Sequence, residues 1–435
     1  MNKDIFNPEC GCGSVDHFSR RTILKAAGLS GLTWLTPLGD LLAKSAGKKG
    51  QAAKAKSVIV LWMAGGPSQL ETFDPHAGKP ISDGTGAIKT SVKGIQLAKG
   101  MEQTAEVMGD ISLIRSVVSR EGDHERATYN VKTGYRPNPT VVHPSLGSII
   151  THEIPNNDIE IPTHISILSN QWPPRGGYFG PEFDAFKVGD PNKPIPDLVS
   201  NVDKAREKLR YESLSVVERV FARGRQPNLD RDKTLHMATI KNARRMMTSD
   251  QLKAFDISGS PGTEVKDFGE TPFGRGCLAA VRLVEAGVQC VEVNLNGWDT
   301  HVNNKEGHAK NVPQLDAGFA GTIKALKARG LLDSTLVLCG GEFGRTPKIN
   351  PFGGRDHWPH GFSIAMAGGG IRGGHVIGST DPNGQSKEPE NPVNVQNIHA
   401  TILQQVGLDP EDEIMTPVGR PILLSDGAVI EELLA

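Results

Sequence analysis

The feature that most constrains this chain is a series of short apolar runs, each followed by a loop rich in glycine and polar residues. The first run is "SVIVLWM" at 57–63, and the chain after it turns through Gly65, Gly66 and Pro67. Continuous apolar runs of this length are typical of strands that are buried on both faces, as in parallel sheets. Five later segments share the pattern: "ISLIRSV" at 111–117, "HISIL" at 164–168, "VQCVEVNL" at 288–295, "TLVLC" at 335–339 and "FSIAMAG" at 362–368.

Helical patterns lie between these runs, for example "PFGRGCLAAVRLVEAG" at 272–287 and "VPQLDAGFAGTIKALKARG" at 312–330. Strands that alternate with helices across short loops predict an α/β domain with a mostly parallel sheet. We expect residues 57–435 to form one such domain. The stretch 173–270 begins rich in proline and glycine and becomes charged and helical, so we interpret it as an insertion or cap on that domain.

The N-terminal segment predicts where the protein is sent. "SRRTILK" at 19–25 closely matches a twin-arginine export signal. The apolar stretch after it is interrupted by Pro37 and Asp40, which makes it a poor permanent membrane span. We therefore expect a signal peptide at 1–46, a linker at 47–56, the twin-arginine export machinery as a partner, and a periplasmic or secreted mature protein that does not span the membrane. The alternative is an ordinary amphipathic first helix.

The charge balance and the cysteines argue against two classes of site. The net charge is −1, so no basic excess exists to neutralise phosphates, and we expect no nucleic-acid partner. Cys10 and Cys12 lie in the segment that we expect to be removed. Cys277, Cys290 and Cys339 stand among apolar neighbours, which favours buried thiols over nucleophiles or zinc ligands.

Polar residues that can bind metals or move protons follow three of the predicted strands. After the first strand, Ser68 and Asp74 are candidates, although a polar turn in which Ser68 caps a helix is an alternative. After the strand at 288–295, Asp299 and His301 form an Asp-x-His pair that can offer oxygen and nitrogen to one divalent ion. The alternative there is a helix-capping aspartate and a surface histidine.

The loop after the strand at 335–339 is the densest of these segments. It is glycine-rich, and these polar groups are costly to bury unless they coordinate an ion or pair with each other. A solvated loop is the alternative. The candidates in it are Glu342, Arg345, Asp356, His357 and His360. We expect the ends of the separate strands to converge, because functional groups collect at the carboxyl edge of an open α/β sheet.

Four stretches give the chain a family resemblance: "MAGGPSQLETFDP", "GWDTH", "GEFGRTP" and "GRDHWPHG". It resembles a broad family of exported sulfatase-like proteins, classed as a domain of unknown function, within the alkaline phosphatase and sulfatase superfamily. The resemblance covers nearly the whole mature chain. It implies a three-layer alkaline-phosphatase-like fold with a mostly parallel central sheet and a helical insertion.

The resemblance also implies a set of metal ligands. In the enzymes of the superfamily an Asp-His pair follows a core strand, and Glu342 and Phe343 occupy that place here. Asp299 and His301 resemble the middle ligands, and His360 resembles the last histidine ligand. One or two divalent ions would be held by Asp299, His301, Glu342 and His360. The pattern does not distinguish zinc, manganese, calcium and iron.

The position of the nucleophile departs from the family pattern. In the enzymes a Ser, a Thr or a modified Cys opens a helix ten residues before a glycine, and counting back from Gly134 leads to His124, which follows Asp123. An imidazole can act as a nucleophile, as a general base or as a further metal ligand. The family's first-strand metal aspartate is also missing, so Asp74 or Ser68 would have to replace it.

These observations predict an exported metal-dependent hydrolase of phosphate or sulfate esters, with His124 at the reacting centre. Its substrate would be an anionic ester, including esters carried on carbohydrate. Arg126, Arg345 and Arg355 are candidates to hold anionic oxygens, since a guanidinium offers paired donors. A catalytically inactive sulfatase-like binding or assembly protein is the alternative, and the ligand types also leave a redox-metal oxidoreductase open.

Overall fold

The computed structural model describes residues 53–222 and 236–435. The predicted signal peptide at 1–46 and most of the predicted linker lie outside the described residues. None of the helices in these two ranges is long and apolar enough to cross a lipid bilayer.

The described residues contain fifteen strands, numbered in chain order. They are β1 (Ser57–Ala64), β2 (Ala87–Lys89), β3 (Gln96–Ala98), β4 (Ile111–Val118), β5 (His164–Ile167), β6 (Phe186–Val188), β7 (Cys290–Asn296), β8 (Thr335–Gly340), β9 (Gly344–Arg345), β10 (His357–Trp358), β11 (Phe362–Ala367), β12 (His375–Ile377), β13 (Val393–Asn394), β14 (Glu413–Met415) and β15 (Pro421–Leu423). All six strands predicted from apolar runs are present, with ends shifted by at most two residues.

Nine of these strands form the main sheet, in the spatial order β12–β4–β11–β8–β1–β7–β5–β6, with β13 also paired to β4. Strand β1 is parallel to both β7 and β8. Only β11 runs against its neighbours β4 and β8 among the strands of this sheet, so the predicted mostly parallel sheet is confirmed. Strand β6 falls inside the stretch 173–270, so that stretch supplies an edge strand of the sheet as well as helices.

Nine α-helices lie in the described residues. They are α1 (Glu102–Glu106), α2 (His124–Thr133), α3 (Leu146–Glu153), α4 (Lys204–Ala222), α5 (His236–Met247), α6 (Gly262–Asp267), α7 (Pro272–Glu285), α8 (Asn304–Ala328) and α9 (Val395–Gln405). The two helices predicted from their apolar period correspond to α7 and to the larger part of α8.

The sheet is covered by helices on both faces because its strands are apolar on both sides. Along β1, Ile59 and Leu61 belong to one hydrophobic core together with residues of α7 and α8. Val58 and Trp62 belong to a second core together with residues of α2, α3 and α9. Since successive side chains of a strand point to opposite faces, one apolar run supplies both cores. The predicted three-layer α/β arrangement is therefore confirmed.

The three cysteines of the predicted domain are buried free thiols, as expected from their apolar neighbours. Burial raises the pKa of Cys290 to about 12, with a smaller contribution from the nearby Glu292. Burial likewise raises the pKa of Cys277 and of Cys339. These thiols stay protonated at neutral pH and act as small apolar side chains.

Candidate metal centre

The carboxyl ends of the central strands bring distant loops together at one edge of the sheet. Asp299 follows β7, Glu342 follows β8, and His124 opens helix α2 shortly after β4. Strands β4, β7 and β8 run in the same direction, so these three side chains start from the same edge. The expected convergence of separate loops is observed, since both carboxylates contact His124.

Two glycines after β1 allow the loops to approach this closely. Gly65 has φ of +115° and Gly66 has φ of +75°, in the region that L-residues with side chains rarely adopt. A Cβ on Gly65 would lie 2.5 Å from the backbone nitrogen of Asp299, and a Cβ on Gly66 would lie 2.5 Å from the ring of Phe343. The backbone N–H of Gly65 donates to Glu342 Oε1 at 2.9 Å. The loop after β1 therefore packs its backbone directly against the loops that follow β7 and β8.

Three histidines converge on the carboxylate of Asp299. His124 Nε2 lies 3.3 Å from Oδ2 of this aspartate. From Oδ1, His301 Nε2 lies 3.3 Å away and His357 Nε2 lies 3.5 Å away. The two Nε2 atoms of His301 and His357 are 2.9 Å apart. His124, Asp299 and His357 each offer one ligand atom, and these atoms lie within 4.8 Å of one another, while His301 adds a further nitrogen beside His357.

The other ring nitrogen of each histidine has a hydrogen-bond acceptor from the protein. The three pairs are His124 Nδ1 with Glu342 Oε1 at 2.7 Å, His301 Nδ1 with Asp356 Oδ1 at 2.9 Å, and His357 Nδ1 with the carbonyl of Gly122 at 2.7 Å. When Nδ1 donates in each pair, the Nε2 lone pair points toward the shared volume. Histidine ligands of metals are held by a carboxylate or a carbonyl in this same way.

The spacing of these atoms fits a divalent cation. Nitrogen and oxygen ligands 2.0–2.1 Å from a tetrahedral zinc ion lie roughly 3.3 Å from each other. The separations of Asp299 from the three Nε2 atoms, and of His301 from His357, run from 2.9 Å for His301 with His357 to 3.5 Å for His357 with Asp299. In addition, the buried Nε2 atom of His124 has no hydrogen-bond partner, although Asp299 is close. A cation between these groups would satisfy that atom.

The electrostatics of the cluster also favour a cation. Three carboxylates surround the histidines, and Arg345 is the cation that contacts Asp299, at 2.7 Å. Burial alone would lower the pKa of His124, but its contacts with Asp299 and Glu342 outweigh that effect and raise the pKa to about 9. Burial would raise the pKa of Asp299, yet its contacts with His124, His357 and Arg345 hold the pKa well below the usual range.

Two arginines of the loop that follows β8, Arg345 and Arg355, connect separate segments of the protein. The side chains of Arg345 and Arg355 are both fully buried. The guanidinium of Arg345 donates to Asp299, to the carbonyls of Gly65 and Gly66, and to the carbonyl of Arg355. The guanidinium of Arg355 donates to Glu71 and to three backbone carbonyls. The protein itself therefore accepts from four of the five N–H donors of Arg345 and from all five of Arg355.

The third candidate arginine has a different environment. Arg126 is about half exposed, and its Nε donates to Glu121 Oε2 at 2.7 Å. Arg136 contacts Glu121 as well, with its Nε 2.6 Å from Oε1. Arg126 therefore lies at the surface beside the cluster and is held by an ion pair.

Three other predicted candidates have contacts outside the cluster. Ser68 is buried, and its backbone N–H donates to His308 Nε2 at 3.1 Å. The buried Asp74 accepts from the hydroxyl of Thr380 at 2.7 Å. Asp123 caps helix α2, accepting from the backbone N–H groups of its first turn. These contacts give each of the three residues a structural role.

His357 occupies the position in the cluster that the sequence assigned to His360. In the β9–β10 pair, His357 lies directly opposite Arg345, which in turn contacts Asp299. His360 comes three residues later and lines a separate cavity. The register of a two-residue strand pair decides which histidine reaches the aspartate, and the residue spacing alone does not reveal it.

Two aromatic residues complete the walls of the cluster and were not predicted as site residues. The ring of Trp172 stacks on His124 with 6.2 Å between centroids and 17° between planes. Phe343 is fully buried and packs against His124 at 5.0 Å and His357 at 4.3 Å. Trp172 lies in a proline-rich stretch with no signal for a site, whereas Phe343 could have been inferred from its place beside Glu342.

The fold and this cluster define an α/β protein with a candidate metal centre at the carboxyl edge of its sheet. The chain belongs to the family described as "Protein of unknown function (DUF1501)", whose model matches residues 55–434. A search of curated proteins found no match.

Several solved structures are similar to this chain at a low level. Ps i-CgsB has 10% identity and a TM-score of 0.40, covering 81% of this chain and 72% of its own. The lipoteichoic acid synthase LtaP from Listeria monocytogenes has 11% identity and a TM-score of 0.37, with 84% and 75% covered. Alkaline phosphatase from the Antarctic bacterium TAB5 has 15% identity and a TM-score of 0.35, with 82% and 100% covered.

Proposed function

We propose that this protein is a metal-dependent hydrolase of phosphate or sulfate esters, with a single divalent ion held by Asp299, His124, His301 and His357. The observation that supports it is the convergence of three imidazole Nε2 atoms on one carboxylate, while each Nδ1 is held by a protein acceptor. This donor set of nitrogen and oxygen suits zinc, manganese or iron.

The remaining residues of the cluster orient these ligands. Glu342 was predicted as a ligand, and we now assign it to holding the Nδ1 proton of His124, since its Oε1 lies 2.7 Å from that nitrogen. Asp356 does the same for His301. Arg345 fixes one oxygen of Asp299 and leaves the other facing His124. Carboxylates and carbonyls in these positions raise ligand basicity and set ring orientation.

The position of His124 bears on the mechanism. Its Nδ1 is engaged by Glu342, and its Nε2 faces Asp299, so we assign it to the ligand set and not to covalent attack. Water would then be the nucleophile. A divalent ion here would supply a Lewis acid for the ester oxygen and would lower the pKa of water toward ~7. The half-exposed Asp299 and His301 lie where an ester can approach from solvent.

We also propose that the protein acts outside the cytoplasm after twin-arginine export. The support is the "SRRTILK" sequence at 19–25. This route carries folded proteins, which suits a site whose ligands come from loops far apart in the chain.

Metal analysis of the purified full chain tests the ligand assignment. We expect about one divalent ion per chain, and loss of most of it in Asp299→Asn, His124→Asn and His357→Asn. His360→Asn is the matched control, since His360 lines a different cavity, and it should retain the ion. Retention in the first three variants, or loss in the control alone, would remove the proposed centre.

Activity is then measured with aryl phosphates, phosphodiesters and aryl sulfates on the metal-loaded protein. We expect hydrolysis of at least one class, and its loss on chelation. A fully metal-loaded protein that hydrolyses none of them would favour the alternative of a metal-containing binding protein.

A further inference from the structure

A large cavity lies next to the candidate metal centre and is not part of it. Its volume is about 660 Å³, and it is lined by the segment that follows β4, by His360 and by the start of helix α9. His357 of the metal cluster and His360 of the cavity are only three residues apart, and the backbone N–H of Ser119 donates to the Pro359 carbonyl between them at 2.8 Å. The two sites are therefore neighbours with separate linings.

Ionisable side chains of both signs surround this cavity. Arg120, Arg136 and Lys387 line it, against the carboxylates of Glu388 and Asp426. Within the described residues, Arg120 and Lys387 make no ion pair, so their charges are available to a ligand. Arg136 contacts Glu121 through its Nε. Unpaired cations around a concave surface attract anions.

Helix α9 adds backbone donors to the same cavity. Asn394 is its N-cap residue with an extended backbone, and no side chain caps the first turn. Asn394, Gln396 and Asn397 all line the cavity. The first N–H groups of a helix have no partner within the helix and carry a partial positive charge, which favours an anion at this end.

A buried amide without a partner is the independent sign of a ligand. Asn130 is only 3% exposed and lines the cavity, and its Nδ2 makes no hydrogen bond. Its Oδ1 accepts from the hydroxyl of Ser119 at 3.1 Å, so Nδ2 is the donor of this amide that has no acceptor in the protein. A buried amide donor normally has an acceptor, because leaving it unpaired is unfavourable.

We propose that this cavity is a binding site for a tetrahedral oxyanion, sulfate or phosphate, held by Asn130 Nδ2, the first turn of α9, Arg120 and Lys387. Guanidinium, ammonium and backbone N–H groups are the donors that bind such oxygens in proteins. The volume exceeds that of a free ion, so the oxyanion is either inorganic or the ester group of a small organic molecule. The site does not depend on the metal assignment.

Calorimetric titration of the metal-loaded full chain tests this site. The probes are inorganic sulfate, inorganic phosphate and glucose 6-sulfate. Asn130→Asp keeps the acceptor for Ser119 but replaces the donor with a carboxylate, so we expect binding to weaken roughly ten- to a hundredfold. Arg120→Gln tests the same site at an exposed side chain. Lys324→Gln, at a surface lysine paired with Glu106, is the control and should change affinity less than about twofold.

The outcomes separate this site from the metal centre. Binding that is lost in Asn130→Asp and Arg120→Gln but retained in the metal-site variant Asp299→Asn supports the proposal, and the tightest probe shows whether the oxyanion is free or esterified. If Asn130→Asp fails to fold, Arg120→Gln and Asp299→Asn decide the question. No measurable binding of the three probes, or binding lost only in Asp299→Asn, would overturn it.

Discussion

Metal binding should strengthen steeply with pH, because the ion must displace a proton from His124. In the metal-free protein the pKa of this imidazole is raised to about 9 by Asp299 and Glu342, against the lowering effect of burial. A metal ligand must be deprotonated, so the apparent affinity is reduced by the fraction of His124 that carries the proton.

The size of the effect follows from that pKa. Between pH 6.5 and pH 8.5 the fraction of neutral imidazole grows roughly 80-fold for a pKa of about 9, whereas it grows only ~2-fold for the ordinary histidine value. The direction of this pH dependence follows from the direction in which the pKa of His124 is shifted. A raised pKa keeps the proton bound at neutral pH, so affinity increases as pH rises and levels off above about 9.

Calorimetry in buffers of different ionisation enthalpy measures both the affinity and the number of protons released. We expect close to one proton from His124 per ion at pH 7. Glu342→Gln keeps the shape of the side chain and removes one of the two carboxylates that raise the pKa, so its pH dependence should be shallower. An affinity that changes less than about threefold between pH 6.5 and pH 8.5 would refute the reasoning.

Three further predictions concern the framework of the site, and each is read from the free energy of unfolding. Glu71→Gln leaves the fully buried Arg355 without its carboxylate and should cost ~3–5 kcal/mol in urea unfolding; equal stability of the variant would contradict the buried pair. Gly66→Ala places a methyl group against Phe343 and should cost well over ~1 kcal/mol, whereas Gly78→Ala, at a similar φ with open space around it, should cost only ~1 kcal/mol from backbone strain. Burial lowers the pKa of His399 to about 4, so its stabilising contribution is complete above the unfolded pKa and is lost as pH falls toward 4. Wild-type stability should therefore fall by ~2 kcal/mol more than that of His399→Gln between pH 7 and pH 5, and parallel pH profiles would exclude this.

Some of the site could be predicted from the sequence because strand ends are local features. Asp299 and Glu342 each follow an apolar run directly, and parallel strands bring such ends to one edge of a sheet. His124 was located by its distance from Gly134, which ends helix α2 in a left-handed conformation. The inferences for Asp299 and Glu342 need only the strand period and the direction of the sheet, whereas His124 also required the family resemblance.

Other parts depend on contacts between residues that are far apart in the chain. Gly65 contacts Glu342 across 277 positions, and this contact and the contact with His124 both use Oε1 of the carboxylate. The burial of Arg345 likewise depends on the carbonyls of Gly65 and Gly66, which lie about as far away in the sequence. A sequence pattern gives the residue types of a loop but not the acceptors that will surround them.

By itself, the sequence determined the layered α/β sheet and the edge of that sheet at which the site residues collect. It also determined that these residues offer nitrogen and oxygen atoms. The period of apolar residues and the end of each strand are sufficient for these. Only the tertiary structure decided that His357 and not His360 joins Asp299, and that the two arginines tie loops together. The physical reason is that the direction of a side chain in a loop is set by the register of a short strand pair and by hydrogen bonds to distant backbone.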